Sequence, residues 1–231
     1  MRRINKTILP IAVILIAAAE VILRLVVWDP HIIQDTTYDP FPYKARDQFG
    51  IVRARAGAFR ATQTRKDLAA GTTEVSYDVT YTIGNWWGRV TPQEASVDQE
   101  RPAVFFGGSF TFGEGLQDDE TIPYYFAAGT KEFRSYNLGF HGDGPFDILA
   151  KAENLEFGPV FGRQKGVIIY ILLNGHVFRI KGDMREVSWG EDRPYYRLIN
   201  GRMVRDGKFL TGRPIMTRLL RSCNKSKILQ V

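Results

Sequence analysis

The stretch Ala103-Val-Phe-Phe-Gly-Gly-Ser109-Phe-Thr-Phe-Gly-Glu-Gly115 decides how the chain is read. Ala103 to Phe106 is a short apolar run with the length of a buried strand. Gly107 and Gly108 stop it, Ser109 follows at once, and a helical pattern opens near Thr121. A serine where a buried strand turns towards a helix sits on the rim of a parallel sheet, where α/β proteins place ligands. Ser109 is therefore the candidate nucleophile.

Downstream, strands and helices alternate. Glu120 to Ala128 reads as a helix, with Asp119 or Thr121 as its cap, Pro123 in its first turn and Gly129 at its end. Ser135 to Leu138 is a short second strand that runs into Gly139-Phe-His-Gly-Asp-Gly-Pro145. Phe146 to Phe157 is a second helix, with Ile148, Leu149, Ala152 and Leu155 on one face. Val167 to Leu173 is a continuous apolar run, which predicts a central strand buried on both faces. It ends in Asn174-Gly-His176. The alternation predicts a parallel sheet with right-handed crossovers. Beyond Asp183, Tyr195–Ile199 and Arg202–Arg205 flank Asn200-Gly201, a two-residue hairpin signal. A helical pattern begins at Ile215, and a basic tail closes the chain.

Upstream, Val75, Tyr77, Val79, Tyr81 and Ile83 alternate with polar residues, the period of a half-buried strand. This places a small β-rich element between Gln48 and Asp98. Asp29 to Tyr43 carries three prolines and reads as an extended linker. Ile8 to Trp28 is 21 residues long and broken only by Glu20 and Arg24, long enough to span a bilayer as a helix. Basic residues before it put the N-terminus in the cytoplasm and the main domain outside. A cleaved signal peptide and a buried core helix are the other readings of this segment. The expected organisation is a cytoplasmic N-terminus and transmembrane anchor over 1–28, linker and β-rich element over 29–100, and a catalytic-type domain over 101–231.

Composition narrows the function. The net charge of +6 lies largely at the two ends, with no basic stripe interleaved with aromatics, so nucleic acid is not an expected partner. A single cysteine, Cys223, excludes an intrachain disulfide and a cysteine metal cluster. His31, His141 and His176 show no metal-ligand spacing, and no metal or cofactor is expected. The glycines of 107–115 lack the lysine of a phosphate-binding loop. Trp86-Trp87 reads as packing or as a stacking platform for sugar rings.

At the C-terminal ends of the three parallel strands, three loops should meet: Gly107-Gly-Ser109, His141-Gly-Asp143 and Asn174-Gly-His176. Acyl transfer needs a nucleophilic hydroxyl and N–H donors that hold the oxyanion as it forms. The backbone N–H of Ser109, that of Gly142 and the side-chain amide of Asn174 could supply them. These blocks resemble the SGNH/GDSL hydrolase superfamily. Gly107-Gly-Ser-Phe110 matches its Gly-Asp-Ser-Leu, Asn137 through Gly142-Asp143 matches its second block, and Asn174 is the Asn of its third. The resemblance implies a flavodoxin-like three-layer α/β sandwich, incomplete here, with Ser109 as nucleophile and Gly142 and Asn174 in the oxyanion hole. It also implies an acyl ester or O-acetylated glycan as substrate, with O-acetyl transfer as a variant reaction.

The family's last block, Asp-x-x-His, supplies the base, and it is absent from this chain. Three explanations are open. The chain is a truncated or frameshifted relative of a longer enzyme; or the fold is used without catalysis, to bind a carbohydrate or a partner; or His141 or His176 serves as base. Each histidine also reads as a polar residue that orders its loop.

Overall fold

The structure is a computed structural model that describes residues 15–22, 32–46, 50–92, 101–130, 132–154, 165–183 and 190–225. Its centre is β6 (Arg101–Gly107), flanked in parallel by β7 (Phe133–Asn137) and β8 (Val167–Ile171) in the order β7-β6-β8. Ala103 through Phe106 are all buried, as a strand with neighbours on both sides requires. Helix α3 (Ile122–Gly129) joins β6 to β7, and α4 (Pro145–Asn154) lies between β7 and β8. Thr121 caps α3 by accepting the Tyr124 N–H at 3.3 Å. The chain steps from β6 to one side and then back past it, so the C-terminal ends of β6 and β8 form the crevice of a topological switch point.

The β-rich element is larger than the sequence suggests. β1 (Ile32–Asp39), β4 (Gly57–Asp67) and β5 (Thr72–Ile83) form an antiparallel sheet in the order β1-β4-β5. The stretch read as an extended linker is thus largely a strand. Its polar side chains hide this, because its pairing uses backbone groups and a partner about 28 residues away. β2 (Lys44–Arg46) and β3 (Val52–Ala54) make a short antiparallel pair beside it. Val79, Tyr81 and Ile83 on the inner face of β5 pack with Tyr43, Phe59, Phe112 and Phe140 into one core.

Two expectations are corrected. The flavodoxin-like three-layer sandwich with an N-terminal membrane helix is not what forms. Among the described residues the parallel sheet has three strands, accompanied by separate antiparallel sheets. β9 (Pro194–Ile199) and β10 (Arg202–Lys208) pair with each other and do not extend it. β8 is consequently an edge strand and not a central one, with Ile168 67% exposed. The membrane anchor over 8–28, and with it the single-pass placement of the main domain outside the cytoplasm, is not supported. No helix among the described residues is long and apolar enough to cross a membrane. The described part of that segment, α1, is helical over 15–22. Residues 8–14 and 23–28 lie outside the described residues.

Other local readings hold. Asn200 and Gly201 both have positive φ, the geometry of a type I′ hairpin turn. Trp86 packs edge-on against Tyr136 beside Val104, Phe106 and Leu138. Trp87 carries the Arg53 guanidinium over its ring at 4.6 Å.

The two sheets meet at Arg89, which is fully buried. Its backbone bridges Ile83 at the end of β5 and Asn137 at the end of β7. Its Nε donates to Asp118 Oδ1 at 2.8 Å, Nη1 to the carbonyls of Phe112 and Gly113 at 3.0 and 2.6 Å, and Nη2 to that of Leu116 at 2.6 Å. The guanidinium lies 4.5 Å from the Tyr81 ring centroid and 5.0 Å from that of Phe112. Removing one member of such a buried charged network leaves the others unsatisfied, at about 3–5 kcal/mol. Arg89→Met is therefore expected to lose about that much stability in urea denaturation. A midpoint equal to that of the parent chain would show that Arg89 does not join the two sheets.

Candidate functional site

Ser109 opens a single helical turn, α2 (Ser109–Phe112), at the C-terminal end of β6. Gly107 has a φ of +158°, and a side chain there would collide with Thr111, so the strand can turn this tightly only through glycine. The turn is clamped from below. Asn137, fully buried, donates Nδ2 to the Thr111 carbonyl at 2.9 Å and accepts the Gly139 N–H on Oδ1 at 3.1 Å. Arg89 holds the Phe112 and Gly113 carbonyls from the other side. Ser109 itself is half-buried, and its carbonyl accepts the Gly113 and Glu114 N–H groups.

The second loop is stitched to the first: the Leu138 N–H donates to the Phe105 carbonyl and the Phe140 N–H to that of Gly107. It turns at Gly142, whose φ is +72°. The third loop ends β8 and starts helix α5 (Gly175–Lys181), with Asn174 exposed at its N-cap. All three loops close on one point. A Cβ built on Gly108 would lie 3.1 Å from Arg179 Nη1, 3.3 Å from the Asp143 carbonyl oxygen and 3.3 Å from His176 Nε2. Glycine at 108 is what admits this approach. Among the described residues no acceptor takes the Ser109 N–H, the Gly142 N–H or the Asn174 side-chain amide.

His176 is fully buried under this point. Its Nδ1 accepts the Leu173 N–H at 3.3 Å and lies 2.6 Å from the Tyr170 hydroxyl. Burial pushes the Tyr170 phenol up to about 12, so it remains a donor. With Nδ1 taking the Leu173 N–H, which can only donate, the ring proton of the neutral imidazole sits on Nε2. Burial first, and the Arg179 charge second, hold the His176 pKa below its ordinary value. His176 thus presents a donor, not a lone pair, towards Gly108. His141 is held elsewhere, with Nε2 3.2 Å from the Tyr43 hydroxyl and Nδ1 3.3 Å from Glu114 Oε2, among the rings of Phe112 and Phe140. No described side chain hydrogen-bonds the Ser109 hydroxyl.

Sequence reasoning misses the charges behind the site. Asp143, Asp147, Lys151 and Arg193 are all buried. Lys151 pairs with Asp143 and donates to the Leu138 carbonyl, and Arg193 Nη1 lies 2.7 Å from Asp147 Oδ2. Burial pushes the Asp143 carboxyl above the usual range, with the Lys151 ammonium pulling the other way. Arg179 Nη1 donates to the Asp143 carbonyl at 2.6 Å and so ties α5 to the Gly142 turn. Its spacing of three from His176 on one helix is the signal that was available. Among the described residues no group of His, Cys, Asp or Glu could hold a metal ion.

The donor state of His176 is open to direct test. In ¹⁵N-resolved NMR spectra its imidazole should titrate below the ordinary histidine range, with the proton on Nε2 above that point. An Nδ1-protonated ring, or an ordinary pKa, would return His176 to the list of bases. Searches against protein-family models, curated proteins and solved structures find no match to this chain.

Proposed function

We propose that the chain is a serine-dependent acyl-ester hydrolase of the SGNH type, with Ser109 as nucleophile. The Ser109 N–H, the Gly142 N–H and the Asn174 amide are its oxyanion donors. The observation that carries this reading is the convergence of three strand-end loops on Gly108, with none of those donors committed to another acceptor among the described residues. Donors fixed by the fold, and not recruited during reaction, stabilise developing charge at no reorganisation cost. Ser109 Oγ attacks the ester carbonyl, its proton is lost, and the alcohol departs to leave an acyl-serine. Water then attacks the acyl group, releases the acid and restores the hydroxyl. Acyl esters, including O-acetyl esters of glycans, are the substrates that the resemblance suggests, and transfer to a sugar hydroxyl would share the first half of the reaction.

The proton acceptor sets the rate. His176 offers Ser109 no lone pair, and His141 is engaged with Tyr43. The serine proton therefore passes to solvent hydroxide, and turnover is slow. The same observation favours a second reading, in which the crevice binds an ester-bearing glycan or a partner without turning it over.

With p-nitrophenyl acetate, the parent chain is expected to turn over faster than its Ser109→Ala variant, which keeps the backbone donor and lacks the nucleophile. The rate should climb with pH through neutrality without a plateau near the histidine range. Equal rates in the two proteins would remove catalysis and leave the binding reading. A plateau would reveal a histidine base.

A further inference from the structure

A groove of about 580 Å³ opens beside the site, lined by Lys44, Arg46, Val52, His141, Gly142 and Arg193 among others. This volume is that of a small-molecule site and is too small for a nucleic-acid track. Gly142 belongs to both: it is a wall of the groove and one of the proposed oxyanion donors. Among the described residues, three cationic side chains line the groove and no carboxylate does. Lys44 and Arg46 are exposed at its lip, both on β2. Arg193 is nine-tenths buried at its back, fixed by Asp147 and by donation of Nη2 to the His141 carbonyl at 3.3 Å.

Three nearby carboxylates are already engaged, and Asp192 also acts on Arg46. Asp143 faces Lys151, Asp147 faces Arg193, and Glu114 faces His141. Arg46 Nη1 donates to the Gly50 carbonyl at 3.0 Å, and Lys44 and Arg46 both line the groove with no carboxylate ion pair between either of them and a described residue. Desolvation first, and the Arg193 charge second, depress the basicity of both. An anion in the groove relieves that mutual repulsion, and a neutral group does not.

We infer that this groove binds a negatively charged portion of the substrate, so that the esters turned over at Ser109 are anionic acyl esters. The inference rests on the hydrolase reading for its second half alone. The anion is held by Lys44 and Arg46, with Arg193 as the fixed positive wall behind them. The ester carbonyl reaches the Gly142 end.

Two arms test it with the full chain. In the first, mono-4-nitrophenyl adipate is compared with 4-nitrophenyl hexanoate, which has the same acyl length without the carboxylate. The ratio of their kcat/KM values should favour the adipate ester by about tenfold or more, as expected for a charged hydrogen bond. In Lys44→Gln/Arg46→Gln the ratio should fall towards one. An unchanged ratio in the double variant would overturn the inference. In the second arm, Ser109→Ala is titrated with the corresponding 4-nitroanilides, which are not cleaved. The anionic anilide should bind more tightly than the neutral one, and the Lys44→Gln/Arg46→Gln changes should abolish the difference. Equal binding overturns the groove. If neither ester is hydrolysed and the anionic anilide still binds selectively, the hydrolase reading fails and the anion site stands.

Discussion

One buried guanidinium holds the molecule together. Arg89 lies where β5 ends, where β7 ends and where the Ser109 turn comes to rest, and it hydrogen-bonds carbonyls from that turn and from the loop after it. A buried arginine is tolerable only when its donors are satisfied and its charge is opposed. Asp118 opposes the charge, the carbonyls take the donors, and the faces of Tyr81 and Phe112 lie against the guanidinium. Lysine could not replace it, because an ammonium lacks the planar fork that reaches separate carbonyls at once. Hydrogen bonds from the Thr80 and Thr82 N–H groups to Gln117 and Asp118, and from the Gly115 N–H to the Tyr81 hydroxyl, cross the same junction, and Arg89 adds its charge and its fork of donors to them.

That fixed relation positions the chemistry. Asn137 and Arg89 grip the Ser109 turn from two sides, and the Gly142 loop is bonded to β6 at Phe105 and Gly107. Asp143, Lys151, Asp147 and Arg193 form a buried charged floor beneath the loop. The crevice is thus rigid where an oxyanion would form. It is unequipped where a serine would lose its proton. The β2–β3 pair brings Lys44 and Arg46 to the open side of the Gly142 turn, so the antiparallel element contributes to the site as well as to the core.

Much of this was written locally in the sequence. The strand before Ser109, the Thr121 cap, the alternation along β5 and the Asn200-Gly201 turn each depend on neighbours in the chain. What could not be read depends on distant partners. β1 is polar and shows its pairing only through backbone groups that meet β4. β8 has the composition of a central strand, but composition does not say whether a neighbour exists on the far side. Arg89, between Gly88 and Val90, has no local mark of burial. The apolar stretch near the N-terminus suggested a membrane span, but no helix among the described residues is long and apolar enough to cross a membrane. Ser109, Gly142 and Asn174 lie in three strand-end loops, and Asp143, His176 and Arg179 from the second and third approach Gly108 in the first. The tautomer that denies Ser109 a base follows from the Leu173 N–H, a contact that no spacing rule reports.

The central claim is that Ser109 is a nucleophile held in a preformed oxyanion clamp but lacking a side-chain base. Intact-mass and peptide-mapping analysis after exposure to a fluorophosphonate tests it most directly. One covalent adduct per chain, on the peptide containing Ser109 and forming slowly but faster as pH rises, is the expected result. No adduct, or labelling spread over other hydroxyls at the same rate, would contradict it.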